Sequence, residues 1–322
     1  MKRLWTALAL WGALAAAQAD VLDGARCVAP AKPGGGFDLT CQLLASALEA
    51  SGQTAQRLPV VYQPGGIGAL AFRRSVTQQP ADGHALVAFS SGSLLNLAQG
   101  RFGPHTERDV RWLAAIGVDH GVIAVHRDAP YRSLAELIAA LRNHPGQVVF
   151  GAGGSIGSQD WMKAALLARA AGVSHKTLRF VAFEGGGEAL TALAGHHVQV
   201  LAGDAAEVAR HLEQGAPVRV LAVLAAKRLR GTLAGVPTAA EQGFDIRWPI
   251  LRGVYLGPGV TDADMQAWRE ILARASRHPS WAPALWRAGL QPEWVSGPEL
   301  DAQIAQQIAH YRRWATEFGL LR

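Results

Sequence analysis

The chain has 322 residues, 49% hydrophobic and 17% charged, a balance that excludes an intrinsically disordered protein. Its 31 Lys and Arg against 25 Asp and Glu give a formal charge of +6, spread without a basic stripe or an aromatic platform, which argues against a nucleic-acid binder. A mild positive field of this kind suits capture of a small anion.

Lys2 and Arg3, the apolar run Leu4 to Ala17 and the sequence Ala17-Gln18-Ala19 predict a secretory signal peptide over residues 1–19. The run is short of the ~20 residues that a spanning helix needs. Loss of the leader removes Lys2 and Arg3, leaves a charge of +4 and starts an exported chain at Asp20. A chain of about 300 residues exceeds one comfortable core and favours two lobes.

Short apolar runs then predict strands at Arg26–Ala29, Leu58–Tyr62, Ala85–Phe89, Val122–Val125, Gln147–Phe150, Leu178–Phe183, Val198–Ala202, Val218–Val223 and Gly253–Leu256. Helical patterns lie between most of them. Ser133-Leu-Ala-Glu136 reads as a capping box ahead of Leu134, Leu137, Ile138 and Leu141, and Asn143-His-Pro-Gly146 stops that helix. Ser296-Gly-Pro-Glu299 reads as a second box, opening a helix with Ile304, Ile308, Tyr311 and Ala315 on one face. Such alternation implies an α/β fold with mainly parallel strands.

Glycine and small polar residues cluster just after strands: Pro33-Gly-Gly-Gly-Phe-Asp38, Pro64-Gly-Gly-Ile-Gly68, Ser90-Ser-Gly-Ser93, Gly151 to Ser158, and Glu184-Gly-Gly-Gly187. Ligands of open α/β sheets bind beyond the carboxyl ends of the strands, so these five loops describe a binding rim. A loop entering a helix exposes unpaired N–H groups at the positive end of the helix dipole, which makes an anion cradle. Asp38 is placed to cap the first helix.

Other chemistries find little support. Gly66-Ile-Gly68-Ala-Leu-Ala71 follows a strand, but the acidic residue of a dinucleotide site is missing, because the next strand ends in Ser90-Ser91. No G-x-S-x-G, P-loop or H-E-x-x-H occurs. Adjacent His196 and His197 precede a strand and point to opposite faces, and no cysteine–histidine set has zinc spacing. Glu184, Glu188 and Asp204 would serve equally as an acid pair or as caps and surface charge. Trp161 and Trp248 are expected to pack in the core. Cys27 and Cys41 flank the first glycine loop and read either as a disulfide or as two buried thiols.

The runs Cys27-Val-Ala-Pro-Ala-Lys-Pro-Gly-Gly-Gly-Phe-Asp-Leu-Thr-Cys41, Gln63-Pro-Gly-Gly-Ile-Gly68, Pro80-Ala-Asp-Gly83, Phe183-Glu-Gly-Gly-Gly-Glu-Ala189 and Val236-Pro-Thr-Ala-Ala-Glu-Gln-Gly243 occur in this order along the mature chain. As a set they resemble the solute-binding proteins of tripartite tricarboxylate transporters, the Bordetella-uptake-gene type. Two positions depart from the family pattern: Tyr62-Gln63 stands where asparagine-arginine is usual, and Phe183-Glu184 where tyrosine-lysine is usual.

The resemblance implies a two-lobe type II periplasmic-binding-protein-like fold with a ligand cleft between the lobes. Residues 20–121 plus 222–322 would form lobe 1 and residues 122–221 lobe 2, with crossings near Asp119 to Val125 and Val218 to Val223. Lobe 1 would offer Lys32, Gly34, Gly35, Gly36, Phe37, Asp38, Gly65, Gly66, Ser90 and Ser91. Lobe 2 would offer Ser155, Ser158, Gln159, Phe183, Glu184, Gly185 and Asp204. Lys32 and the Phe183-Glu-Gly-Gly-Gly187 variant resemble the tricarboxylate branch, so the implied ligand is a small carboxylate, citrate-like first and a dicarboxylate second, bound with no cofactor and no resident metal by a periplasmic monomer that delivers it to the membrane subunits of a transporter. An exported enzyme acting on a carboxylate in the same cleft, or a sensing module for a membrane signalling protein, are the alternatives.

Overall fold

The computed structural model describes residues 21–321, so the predicted signal peptide lies outside the described residues. β1 (Arg26–Ala29) runs parallel to β2 (Val60–Tyr62) and to β3 (Ala85–Ser90), with α1 (Gly36–Ala50) and α2 (Ala69–Thr77) as the crossover helices that parallel neighbours require. β3 is buried on both faces. Val87 and Phe89 enter one core, while Leu86 and Ala88 enter the other.

α3 (Ser91–Ala98) leads to β4 (Arg111–His126), the longest strand at 16 residues. Next come α4 (Leu134–Asn143), β5 (Val149–Gly153), α5 (Gln159–Ala170), β6 (Arg179–Phe183), α6 (Gly186–Ala194), β7 (Val200–Asp204), α7 (Ala205–Glu213) and β8 (Val218–Leu224). The chain returns through residues 225–248 to β9 (Pro249–Leu256), α8 (Asp262–Arg277), α9 (Trp281–Arg287), β10 (Gln291–Ser296) and α10 (Pro298–Glu317).

β4 joins two half-sheets. From Arg111 to His120 it pairs antiparallel with β9, and within that stretch also with β10, while from Gly121 onward it pairs with β7 and β8. Its side chains alternate accordingly, Ile123 and Val125 facing one core and Val122 and Ala124 the other. Among the described residues no helix is long and apolar enough to cross a membrane.

Several sequence expectations need correction. The strand expected at Val122–Val125 begins eleven residues earlier, at Arg111, because Trp112 to Ile116 is apolar throughout and buried between layers instead of alternating. β10 was not expected; its side chains are half-buried at an edge, which weakens the apolar pattern. β8 pairs with the second half of β4 along its whole length. Ser296 is not a cap: it pairs with Ala114 in the sheet, and α10 starts from Gly297 with Pro298 at its first position. Ser133 does cap α4, accepting from the Glu136 amide at 3.2 Å, while the Glu136 carboxylate reaches back to Arg132 N.

Candidate functional site

The five glycine- and serine-rich loops line one cavity of about 840 Å³. A larger groove of about 1070 Å³ runs between α5, α10 and the start of β9, but none of those loops reaches it. The loop-lined cleft is therefore the candidate site.

One wall is the entrance to α1. Leu39 N donates to Gly35 O, so the preceding amides of Gly36, Phe37 and Asp38 have no acceptor within the helix. Asp38 is not the cap; Gly35 holds that position. The Asp38 carboxylate lies in the first turn, accepts from Gly34 N at 2.8 Å and Tyr62 Oη at 2.9 Å, and so braces the loop from behind. The Cys27–Cys41 disulfide ties β1 to α1 beneath the same loop. In the second loop Gly65, Gly66 and Gly68 all have positive φ, as does Ile67 at 52°, a strained geometry for a β-branched residue. The opposite wall is the entrance to α6, where the Ala189–Gly185 bond leaves the amides of Gly186, Gly187 and Glu188 without a helical acceptor.

The floor is a buried ionic cluster. Arg252, on β9 and 2% exposed, donates from Nε and Nη2 to Asp119 and from Nη2 to Asp204 at 2.8 Å. Lys163, fully buried on α5, donates to Asp160 at 2.7 Å, Gly203 O at 2.7 Å and Asp204 at 2.6 Å. Burial opposes ionisation of Asp204, yet Lys163 and Arg252 prevail and hold its carboxyl below the usual range. Burial pushes Asp160 up to about 6 against the pull of Lys163. Glu207, on α7, is pushed up to about 8 by burial and then by the neighbouring Asp204 charge.

Arg252 also explains the glycine at 36. A Cβ there would collide with the guanidinium, which its two aspartates hold in place. Gly36→Ala is expected to cost about 1–3 kcal/mol by overpacking, measured by urea denaturation. An unchanged midpoint would show that Arg252 yields freely.

Bonds cross the cleft at several places. Lys32 pairs with Glu184 at 3.1 Å and Glu188 at 3.0 Å, Gln99 donates to Gly157 O at 2.8 Å, and Arg101 donates to Ser155 Oγ at 3.0 Å. Arg210 donates to Gly34 O. These contacts join the walls of the cleft.

A family model described as the tripartite tricarboxylate transporter family receptor matches residues 44–320. The chain belongs to that receptor family. A relative from Pseudomonas sp. strain P51, the UPF0065 protein of the tcbD–tcbE intergenic region, is 26% identical over 294 residues, 89% of this chain and 83% of its own. The R. palustris protein Rpa4515, solved with adipate, is 24% identical with a TM-score of 0.81, covering 92% of this chain and 97% of its own. MatC of Rhodopseudomonas palustris, solved with malate, is 20% identical with a TM-score of 0.77, covering 90% and 97%. The receptor thus has the two-lobe type II periplasmic-binding-protein-like α/β fold.

Of the residues expected at the site, Lys32, Gly34, Gly35, Gly36, Phe37, Gly65, Gly66, Ser90, Ser155, Ser158, Gln159, Glu184, Gly185 and Asp204 line the receptor's cleft. Three do not. Asp38 is turned behind the loop, the Ser91 hydroxyl is engaged by Gln307 and Leu251 N, and the Phe183 ring packs toward Gly151 in the core of the second half. Several lining groups are already committed: Ser90 and Ser158 hydroxyls cap helices, and Gln159 Nε2 donates to Asp204. Trp161 and Trp248 are core residues, Trp248 stacking on Trp314 at 5.3 Å.

Sequence reading missed Arg252, Lys163, Asp160, Glu207, Arg101 and Arg210. The first two left a trace, a lone cation within an apolar run (Pro249-Ile-Leu-Arg252-Gly-Val-Tyr-Leu256 and Trp161-Met-Lys163-Ala-Ala), since such a charge is buried only when paired. Outside the cleft, His126, Asp128 and His196 bring ligand-type atoms within 4.8 Å of one another, a grouping that the adjacency of His196 and His197 conceals.

Proposed function

We propose that this receptor captures a small carboxylate in the periplasm by closing its lobes, 20–121 plus 222–322 and 122–221, and hands it as a monomer to the transporter's membrane subunits. The observation that carries the reading is the pair of helix entrances, α1 and α6, whose unpaired amides flank one cleft from opposite walls. The adipate and malate bound by structural neighbours accord with it. Dicarboxylates are favoured over citrate-like acids, because Glu184, Glu188, Asp160 and Asp204 line the cleft and each added negative charge on the solute meets them. Closure follows from differential affinity, the solute binding the closed arrangement better than the open one.

The test is a thermal-shift panel of acetate, succinate, malate, adipate and citrate on the mature protein. A bound dicarboxylate at 100 times its Kd should add about 2.7 kcal/mol of stability. A panel that leaves the melting temperature unmoved overturns the reading.

A further inference from the structure

Glu207 occupies the third position of α7, where a glutamate ordinarily turns back to bond the backbone N–H of the cap residue. Here that cap residue, Asp204, belongs to the ladder opposite Gly121. The Glu207 side chain is instead wedged between the glycine loops of the two walls. Its Oε1 lies 3.5 Å from where a Gly35 Cβ would sit, and its Oε2 would collide with a Cβ at Gly186. It is 8% exposed and lines the cleft, and among the described residues no hydrogen bond to its carboxyl is found. Its carboxyl is thus aimed at the site and, among the described residues, makes no hydrogen bond of its own, which leaves it available to an arriving group.

The surroundings decide its charge. Asp204 at the end of β7, Asp160 on α5 and Asp119 on β4 face it as anions or potential anions, and Arg252 on β9 faces it as a cation. Lys163 is spent on Asp160 and Asp204. From its own helix, Arg210 is engaged by Gly34 O and His211 lines the cleft, while at the mouth Lys32 is occupied by Glu184 and Glu188. Within the buried cluster, two cations therefore confront three aspartates before Glu207 is counted, and a fourth negative charge there would exceed them.

We propose that Glu207 meets the solute as a neutral carboxylic acid whose O–H donates to the bound carboxylate, so that this group selects anionic solutes and couples their capture to protonation. The inference rests on the carboxylate reading above. In a buried site an O–H to carboxylate bond is short and strong, and the arriving anion further disfavours ionisation of Glu207. At a pH where the empty receptor has lost this proton, binding must draw one from the buffer.

The raised value of about 8 fixes the sign: Glu207 is neutral below it, and affinity falls as pH rises through it. For the panel carboxylate giving the largest thermal shift, calorimetry should find Kd nearly constant between about pH 6 and 7 and rising toward tenfold per pH unit above about 8.5. Proton uptake, read from buffers of different ionisation enthalpy, should approach one per site over that upper range. Glu207→Gln keeps a donor but cannot titrate, so its Kd should be flat over the same range. In ligand-free protein labelled at the glutamate carboxyl carbon, the resonance that Glu207→Gln removes should titrate well above the ordinary glutamate range.

A Glu207 resonance titrating near about 4.5, or wild-type affinity that is flat or strengthens with pH, overturns this proposal while leaving carboxylate capture standing. Absence of any panel binding removes both.

Discussion

Replacing Arg252 by methionine is expected to lower the stability of the receptor by about 3–5 kcal/mol, among the largest effects of any single substitution in the chain. The guanidinium is the shared partner of Asp119 and Asp204, and all three are buried. Its removal strands Asp119, which among the described residues otherwise accepts from the His120 and Ala206 amides. Methionine fills much of the volume, so the loss reports the stranded charge more than a cavity. Urea denaturation of wild type and variant gives the value. Because protonating the stranded carboxyl relieves the penalty, the deficit should shrink as pH is lowered toward about 4, and the double variant Asp119→Asn with Arg252→Met should recover part of it. A loss under about 1 kcal/mol would show that the cluster is not load-sharing as described.

Opening the Cys27–Cys41 bond should cost about 3 kcal/mol, the value for a closed loop of this size given the sequence separation of 14. Stability comes here mainly from restricting the unfolded chain, although the bond also encloses the first glycine loop. Reduced protein, or Cys27→Ala with Cys41→Ala, should melt several degrees lower. It should also bind the best panel carboxylate more weakly, because the loop must then be ordered at the expense of binding energy. A melting temperature indifferent to reductant would overturn the expectation.

Much of the scaffold was legible because its cues are local. β1, β3 and β6 were placed within a residue or two by short apolar runs, and α4 by Ser133 and its apolar face. The five loops were legible as a group, since glycine and serine after a strand mark a place where backbone comes close to something else. What stayed hidden depends on contacts between distant segments. The apolar stretch Trp112 to Ile116 lacks alternation because both faces are covered, so periodicity offers nothing to detect. Arg252, Lys163 and Glu207 acquire their roles only when β9, α5 and α7 converge on Asp119, Asp160 and Asp204. Asp38 stands close enough to the helix start to pass for its cap. The glycine ahead of it took that place and left the acid to brace Gly34 and Tyr62.

β4 belongs to both half-sheets and exchanges partners between His120 and Gly121. An extended backbone is nearly inextensible, so under the closure proposed above β4 would serve as a pivot that permits rotation of one half against the other and resists sliding. Arg252 grips Asp119 beside that pivot, whereas Lys32 meets Glu184 and Glu188 at the exposed rim. Added salt should therefore loosen the jaw at its tip and leave its fulcrum intact, making solute release sensitive to ionic strength without unfolding the molecule.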